Sequence, residues 1–173
     1  MSGKSGEAGI SVLVGIGSNL GDRRRNIAEA LDLLRASEVV RVVVVSELIE
    51  TDPVGGPPQG RYLNGAAEIV TFLRPRDLLD LIHRIEARLG RLRTVQNAPR
   101  EIDLDILLYG DLVVREIDLE IPHPRLTERA FVLQPLAEIA PERRHPVTRR
   151  TLREHLSLLG EAEAMTRTGG RKA

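Results

Sequence analysis

Cysteine is absent from this 173-residue sequence. Without a thiol there is no disulfide framework, no thiolate metal site and no cysteine nucleophile, and a reducing cytoplasm is compatible with the chain. Aromatic residues are scarce as well: Tyr62, Phe72, Tyr109 and Phe131 are the whole set. Charge of one sign is missing too. Lysine plus arginine total 25 and aspartate plus glutamate total 25, so no overall field favours a nucleic-acid backbone or an anionic membrane surface. Neither nucleic acid nor membrane is therefore expected as a partner, and any polyanion must be held locally. Long apolar runs are lacking: Val39 to Ile49, the greasiest stretch, is broken by Arg41 and Glu47 and is too short to span a bilayer. Met1 to Gly9 is small and polar, without the apolar stretch of a secretory signal.

What remains is ordinary globular composition, 42% apolar and 29% charged, in a length that suits one domain with a substantial core. Residues 1–9 read as a flexible N-terminus, 10–160 as the folded domain and 161–173 as a frayed tail. Ile10 to Gly17 is a β-branched run ending in glycines. Asp22 then caps a helix in which Ile27, Ala30, Leu31 and Leu34 recur at helical spacing. Val39 to Ile49 reads as one strand, and the prolines and glycines of Asp52 to Gly60 read as a long loop. Tyr62 to Leu73 resumes as a strand. Pro75 opens a helix whose stripe of Leu78, Leu79, Ile82, Ile85 and Leu89 ends at Gly90. After the polar loop Arg91 to Arg100, Ile102 to Tyr109 and Leu112 to Ile121 read as a hairpin turning at Gly110-Asp111, with helical pieces over Leu126 to Ala140 and Thr151 to Leu159. The order β-α-β-β-α-β-β-α-α begins with the split pattern of a ferredoxin-like α+β domain, a mixed or antiparallel sheet with helices packed on it.

Asp103 and Asp105 alternate with Ile102, Leu104 and Ile106, so both carboxylates leave one face of a strand while apolar residues fill the other. Two like charges side by side suggest a counter-cation such as Mg²⁺, which takes one or two carboxylates plus phosphate oxygens. The same alternation also fits a solvated sheet face. Arg91, Arg93 and Arg100 precede that strand and offer planar forks for phosphate, or else surface charge. Gly15-x-Gly17-Ser18-Asn19-Leu20-Gly21 misses the dinucleotide-binding fingerprint by one residue, and its glycines are assigned to a tight turn. Phe72 and Tyr109 lie in apolar strand patterns and read as core. Tyr62, beside Asn64, and Phe131, beside Arg129, could sandwich a flat heterocycle, although a ring taken singly is more often core than a stacking platform. His123, between two prolines, is a phosphate ligand, an acid or a structural histidine.

Together these segments resemble the 6-hydroxymethyl-7,8-dihydropterin pyrophosphokinase family of folate biosynthesis. The resemblance runs through Gly15-Ile-Gly-Ser-Asn-Leu-Gly21, Thr51-Asp-Pro-Val-Gly55, Tyr62-Leu-Asn64, Arg91-Leu-Arg93, Pro99-Arg-Glu-Ile-Asp-Leu-Asp-Ile106, Pro122-His-Pro-Arg125 and Arg129-Ala-Phe131. It implies an ATP-dependent transferase that moves pyrophosphate to a pterin hydroxyl and releases AMP. By the same resemblance Asp103 and Asp105 hold two Mg²⁺ ions, and Arg91 and Arg93 act with them in catalysis. Tyr62 and Phe131 stack on the pterin, while Thr51, Val54 and Asn64 read its edge. Arg91, Arg93, Arg100, His123 and Arg129 face ATP phosphates, Ile106 lies near the adenine and Glu86 is a further nucleotide contact. A monomer or small homo-oligomer is expected. The chain departs from many members in carrying Asn97-Ala98 where they have Trp-Gly. A kinase that moves only the γ-phosphoryl group, or a non-enzymatic ferredoxin-like binding module, are the alternatives.

Overall fold

Nine residues of β-branched and small character, Ile10–Ser18, form β1, the strand on which the rest of the sheet is built. The computed structural model describes residues 8–91 and 97–169. After β1 come α1 (Arg23–Ala36), β2 (Val40–Val45), β3 (Ile49–Thr51), β4 (Tyr62–Thr71), α2 (Pro75–Arg88) and β5 (Asp103–Tyr109). The chain ends with β6 (Val114–Glu116), β7 (Leu119–Ile121), a 3₁₀ turn over Leu126–Glu128, α3 (Ala130–Ile139) and α4 (Leu152–Gly169). The main sheet runs β2-β4-β1-β5, with β3 also paired to β4, and every one of these pairings is antiparallel. This is the ferredoxin-like α+β order expected from the sequence, in its antiparallel form.

The helices form where the apolar spacing places them. The Asp22 side chain accepts the Arg25 N–H at 3.1 Å and so caps α1. Ile27, Ala30, Leu31 and Leu34 turn inward from that helix. Pro75 occupies the first turn of α2, and Gly90, at φ +93°, takes the chain out of it. Both helices cover one sheet face, where Val12, Val14, Ile16, Leu104 and Ile106 meet Leu34, Leu78 and Ile82 in the larger core. On the opposite face Leu13, Ala66 and Leu107 pack against Leu126, Leu133, Leu136 and Leu152. That second layer covers one end of the face and leaves the other end open.

Five expectations need correction. Val39 to Ile49 is two strands, not one, because the Ser46 hydroxyl takes the Ala66 N–H at 2.9 Å and interrupts the ladder before β3. A turn does form at Gly110-Asp111, with Leu112 N–H donating to the Tyr109 carbonyl at 3.0 Å. The chain beyond that turn, however, does not return along β5, and β6 and β7 pair with each other as a separate two-stranded sheet. The outer edge of β5 is already taken: Glu86 accepts the Leu104 N–H at 2.9 Å and the His123 N–H donates to the Leu107 carbonyl at 2.9 Å. Phe72 is 71% exposed rather than core, since it follows Glu68 and Val70 on the face of β4 opposite Ile69 and Thr71, past the end of the layer that covers Ala66. Gly15 and Gly17 belong to β1 and not to a turn; Gly21, at φ +67°, is the turn glycine. Finally, α4 continues past Leu159 to Gly169, through the stretch read as the start of a tail.

Ile82 is fully buried between α2 and the sheet. Ile82→Ala should lower the unfolding free energy by about 2–5 kcal/mol, measured by urea denaturation, because both transfer energy and packing are lost there.

Candidate active site

Cross-strand register builds the floor of a cleft at the open end of the sheet. Gly17 of β1 lies between Asn64 of β4 and Asp103 of β5, and Gly15 lies between Ala66 and Asp105. Directly opposed residues point to the same face of a sheet, so a row of glycines separates the polar wall of β4 from the two carboxylates of β5. A Cβ on Gly17 would sit 2.8 Å from the Asn64 Oδ1, and one on Gly15 would sit 3.2 Å from a Leu107 methyl. The missing side chains are what make the trough. The sequence does carry a signal for this, beyond the turn assigned to these glycines: Gly-x-Gly has the same period of two as Asp-x-Asp.

The resulting cavity of about 250 Å³ brings together most of the candidate site residues. Thr51, Val54, Tyr62, Asn64 and Phe131 line one side of it. Asn64 donates to the Thr51 hydroxyl at 2.6 Å, which fixes the amide edge. Asp103, Asp105, Arg91, Arg100, His123 and Arg129 line the other side. A second cavity, about 390 Å³, adjoins it and shares Arg91, Asp105 and His123. Ile106, Glu86 and the Glu116–Glu120 hairpin border this second space. Arg93 lies outside the described residues.

Electrostatics explain the shape of the cluster. Arg91 bridges two carboxylates through one nitrogen, Nη1, reaching Asp103 Oδ1 at 2.8 Å and also Glu86. Burial works against the Arg91 charge, but Asp103, Glu86 and Asp105 more than offset it and raise its pKa. Arg100 reaches the other oxygen of Asp103 at 3.3 Å. Asp105 has no hydrogen-bond or ion-pair partner among the described residues. Crowding by protein atoms, then Asp103 and Glu86, push its carboxyl up from 3.8 to about 7. Arg129 stacks over Phe131 with 5.6 Å from guanidinium carbon to ring centroid. Its Nε is buried with no partner among the described residues, and burial together with Arg125 lowers its pKa. Burial and Arg129 also lower the His123 pKa, and His123 Nδ1 accepts the Arg125 N–H at 3.2 Å, which leaves the other ring nitrogen as the donor of a neutral imidazole.

These groups fit a hard cation carrying phosphate. Two carboxylates side by side repel each other, one of them lacks any donor among the described residues, and an under-paired guanidinium stands opposite. Among the described residues no set of three or more His, Asp or Glu side chains converges, so an all-protein cage is not on offer. Magnesium needs none, since it keeps waters and substrate oxygens in its shell.

Sequence reasoning missed the residues that tie the two loops of the cleft together. The buried Asn19 donates to Gln59 Oε1 at 2.8 Å and to the Gly60 carbonyl at 3.1 Å, and accepts the Arg100 N–H at 2.9 Å. Gln59 in turn donates to the Asn97 carbonyl at 2.9 Å. Nothing in the spacing of these amides announces the contact, because it joins positions distant in the chain.

Fold and cluster together define a small α+β transferase of phosphate groups. The chain belongs to the 7,8-dihydro-6-hydroxymethylpterin-pyrophosphokinase (HPPK) family, whose family model matches residues 13–141. It is 48% identical over 126 residues to the 2-amino-4-hydroxy-6-hydroxymethyldihydropteridine pyrophosphokinase of Bacillus subtilis, covering 73% of this chain and 75% of that one. Against the Pseudomonas aeruginosa enzyme of the same name it is 44% identical over 135 residues, 78% of this chain and 83% of that one. Among solved structures, Plasmodium falciparum HPPK-DHPS with pterin and p-hydroxybenzoate superposes with a TM-score of 0.68 at 18% identity. That match covers 88% of this chain but only 44% of the longer one, and it speaks to the fold alone.

Asp105 gives a pH signature. With its folded pKa raised above the unfolded value, its stabilising contribution is complete below about pH 4 and is lost as pH rises through about 7. Cleft water still reaches this carboxylate and screens the penalty. In metal-free protein, Asp105→Asn should therefore raise the melting temperature at pH 8 by roughly 2–4 °C, and not at pH 4, in parallel thermal melts.

Proposed function

We propose that the cleft transfers the β,γ-pyrophosphoryl group of ATP to the hydroxymethyl oxygen of 6-hydroxymethyl-7,8-dihydropterin, with AMP as the leaving group. The observation that carries this reading is that two cavities meet at Asp105, Arg91 and His123, with Asp103 lining the first of them. One has a ring and amide lining suited to a flat heterocycle, and the other adjoins it at Asp105 and runs past Ile106 along β5. In this reading Tyr62 and Phe131 hold the pterin between them, and Asn64, Thr51 and the Val54 backbone read its edge. ATP lies along the second cavity with its adenine near Ile106. Its phosphates point at Arg91, Arg100, His123 and Arg129, with Arg93 from the adjoining loop.

Asp103 and Asp105 hold two Mg²⁺ ions, which supply charge neutralisation and alignment of the triphosphate when bound. The protein's own contribution is positional. The trough over Gly15 and Gly17 brings the hydroxymethyl oxygen toward the β-phosphorus. The bond from the hydroxymethyl oxygen to the β-phosphorus forms as that from the β-phosphorus to the α-phosphate oxygen breaks, AMP leaves with that oxygen and the hydroxyl proton is released to water, while the guanidinium groups stabilise charge spreading over the transferred oxygens. Arg129 is pre-placed for this, since its Nε already lacks a partner among the described residues. Small-molecule substrates and a cytoplasmic setting complete the reading, with neither nucleic acid nor membrane as a partner. Among the described residues no helix is long and apolar enough to cross a membrane.

Mixing the protein with ATP, Mg²⁺ and the pterin alcohol should yield AMP and the pterin diphosphate in equal amounts on chromatography. ADP as the product would replace this reading by γ-phosphoryl transfer. Asp103→Ala and Asp105→Ala should each lower kcat by at least about a hundredfold while thermal melts show the variant still folded at the assay temperature, because the loss falls on the site and not on the core. Phe131→Ala should weaken pterin binding by roughly tenfold in calorimetry and leave binding of an ATP analogue nearly unchanged.

A further inference from the structure

Glu86 is a carboxylate in the wrong place for a solvent-exposed helix residue. It lies on α2, is 2% exposed, and reaches across to the outer edge of β5. There its Oε1 accepts the N–H of Leu104 at 2.9 Å, the residue between the two aspartates, and it also pairs with Arg91. Burying a carboxylate is costly unless it is fully engaged, and two of its contacts among the described residues, Leu104 and Arg91, lie at the site. The Leu104 N–H points away from β1 and would otherwise be unpaired at the sheet edge. Arg91 is held a second time through its own backbone, whose N–H donates to the Glu86 carbonyl at 3.0 Å.

The two hydrogens of Arg91 Nη1 are divided between Glu86 and Asp103. Arg100 takes the remaining oxygen of Asp103. Asp103 can serve a divalent cation only if this grip loosens, and Arg91 can let go cheaply only if another carboxylate keeps its charge satisfied. We infer that Glu86 is a positioning residue that retains Arg91 while Asp103 is handed to the metal, and that it acts on the site through Arg91 and not by touching the nucleotide. This inference rests on the metal assignment made under Proposed function. Without Glu86, the buried guanidinium has the site aspartates as its remaining carboxylate neighbours among the described residues and competes with the cation for them.

Binding of Mn²⁺ alone, with no nucleotide or pterin, tests this by electron paramagnetic resonance of the free ion. Glu86→Gln keeps an acceptor for Leu104 but cannot neutralise Arg91, and should weaken Mn²⁺ binding by about fivefold or more. Glu86→Asp keeps the charge but loses the reach, and should weaken binding similarly; affinity equal to that of the parent protein would mean that the charge alone matters and would overturn the inference. In an Arg91→Met background, Glu86→Gln should change the affinity by less than about twofold, and a full fivefold effect there would also overturn it. Asp105→Asn serves as the control for the metal site itself. If it leaves Mn²⁺ binding intact, the metal assignment falls and the inference with it. If it abolishes binding while the Glu86 and Arg91 effects simply add, the inference alone falls. Melting temperatures of all variants confirm that each is folded when assayed.

Discussion

Antiparallel pairing of β1 with both β4 and β5 is the constraint on which the cleft depends. It sets Gly17 between Asn64 and Asp103, and Gly15 between Ala66 and Asp105, so two rows cross the sheet with nothing at their centre. A slip of one residue would turn the carboxylates into the helical core and Ile16 into the trough. The buried alternation of Val12, Val14 and Ile16 beneath α1 and α2 guards against such a slip. Core packing on one face thus holds the chemistry on the other.

The charges that gather in the trough are arranged so that none is comfortable alone. Asp103 is gripped by two arginines, Asp105 by none among the described residues, and Arg129 carries a buried Nε without a partner among them. A polyphosphate with its cations would complete every one of these deficits at once. Such a site would relax on binding that ligand, and binding energy would thereby be tied to alignment. Glu86 stands behind the cluster, closing the free edge of β5 and sharing Arg91 with Asp103.

Where the structure departs from expectation, hydrogen-bond geometry at strand edges accounts for most of it. Leu112 to Ile121 has the composition of a strand and comes after a real turn, yet it cannot pair along β5 because Glu86 and the His123 N–H have taken the edge groups. Ser46 breaks the valine-rich run because its hydroxyl competes for the Ala66 N–H. Alternation alone assigns Phe72 to the core, but a pattern of alternation says nothing about where the covering layer stops.

Local information in the chain was enough for the elements that depend on neighbours within one turn or one pleat: the Asp22 cap, the stripe of α2, the Asp-x-Asp strand and the ferredoxin-like order. The motif segments were enough for the family. Tertiary structure alone decided that Gly15 and Gly17 form a floor, that Thr51 and Asn64 meet, that Asn19 joins the Gln59 and Arg100 loops, and that Glu86 is a buried partner of Arg91. Each of these is a contact between residues far apart in sequence or on different elements. Their chemistry is fixed only when register and packing bring two side chains to one place, and no spacing along the chain encodes that distance.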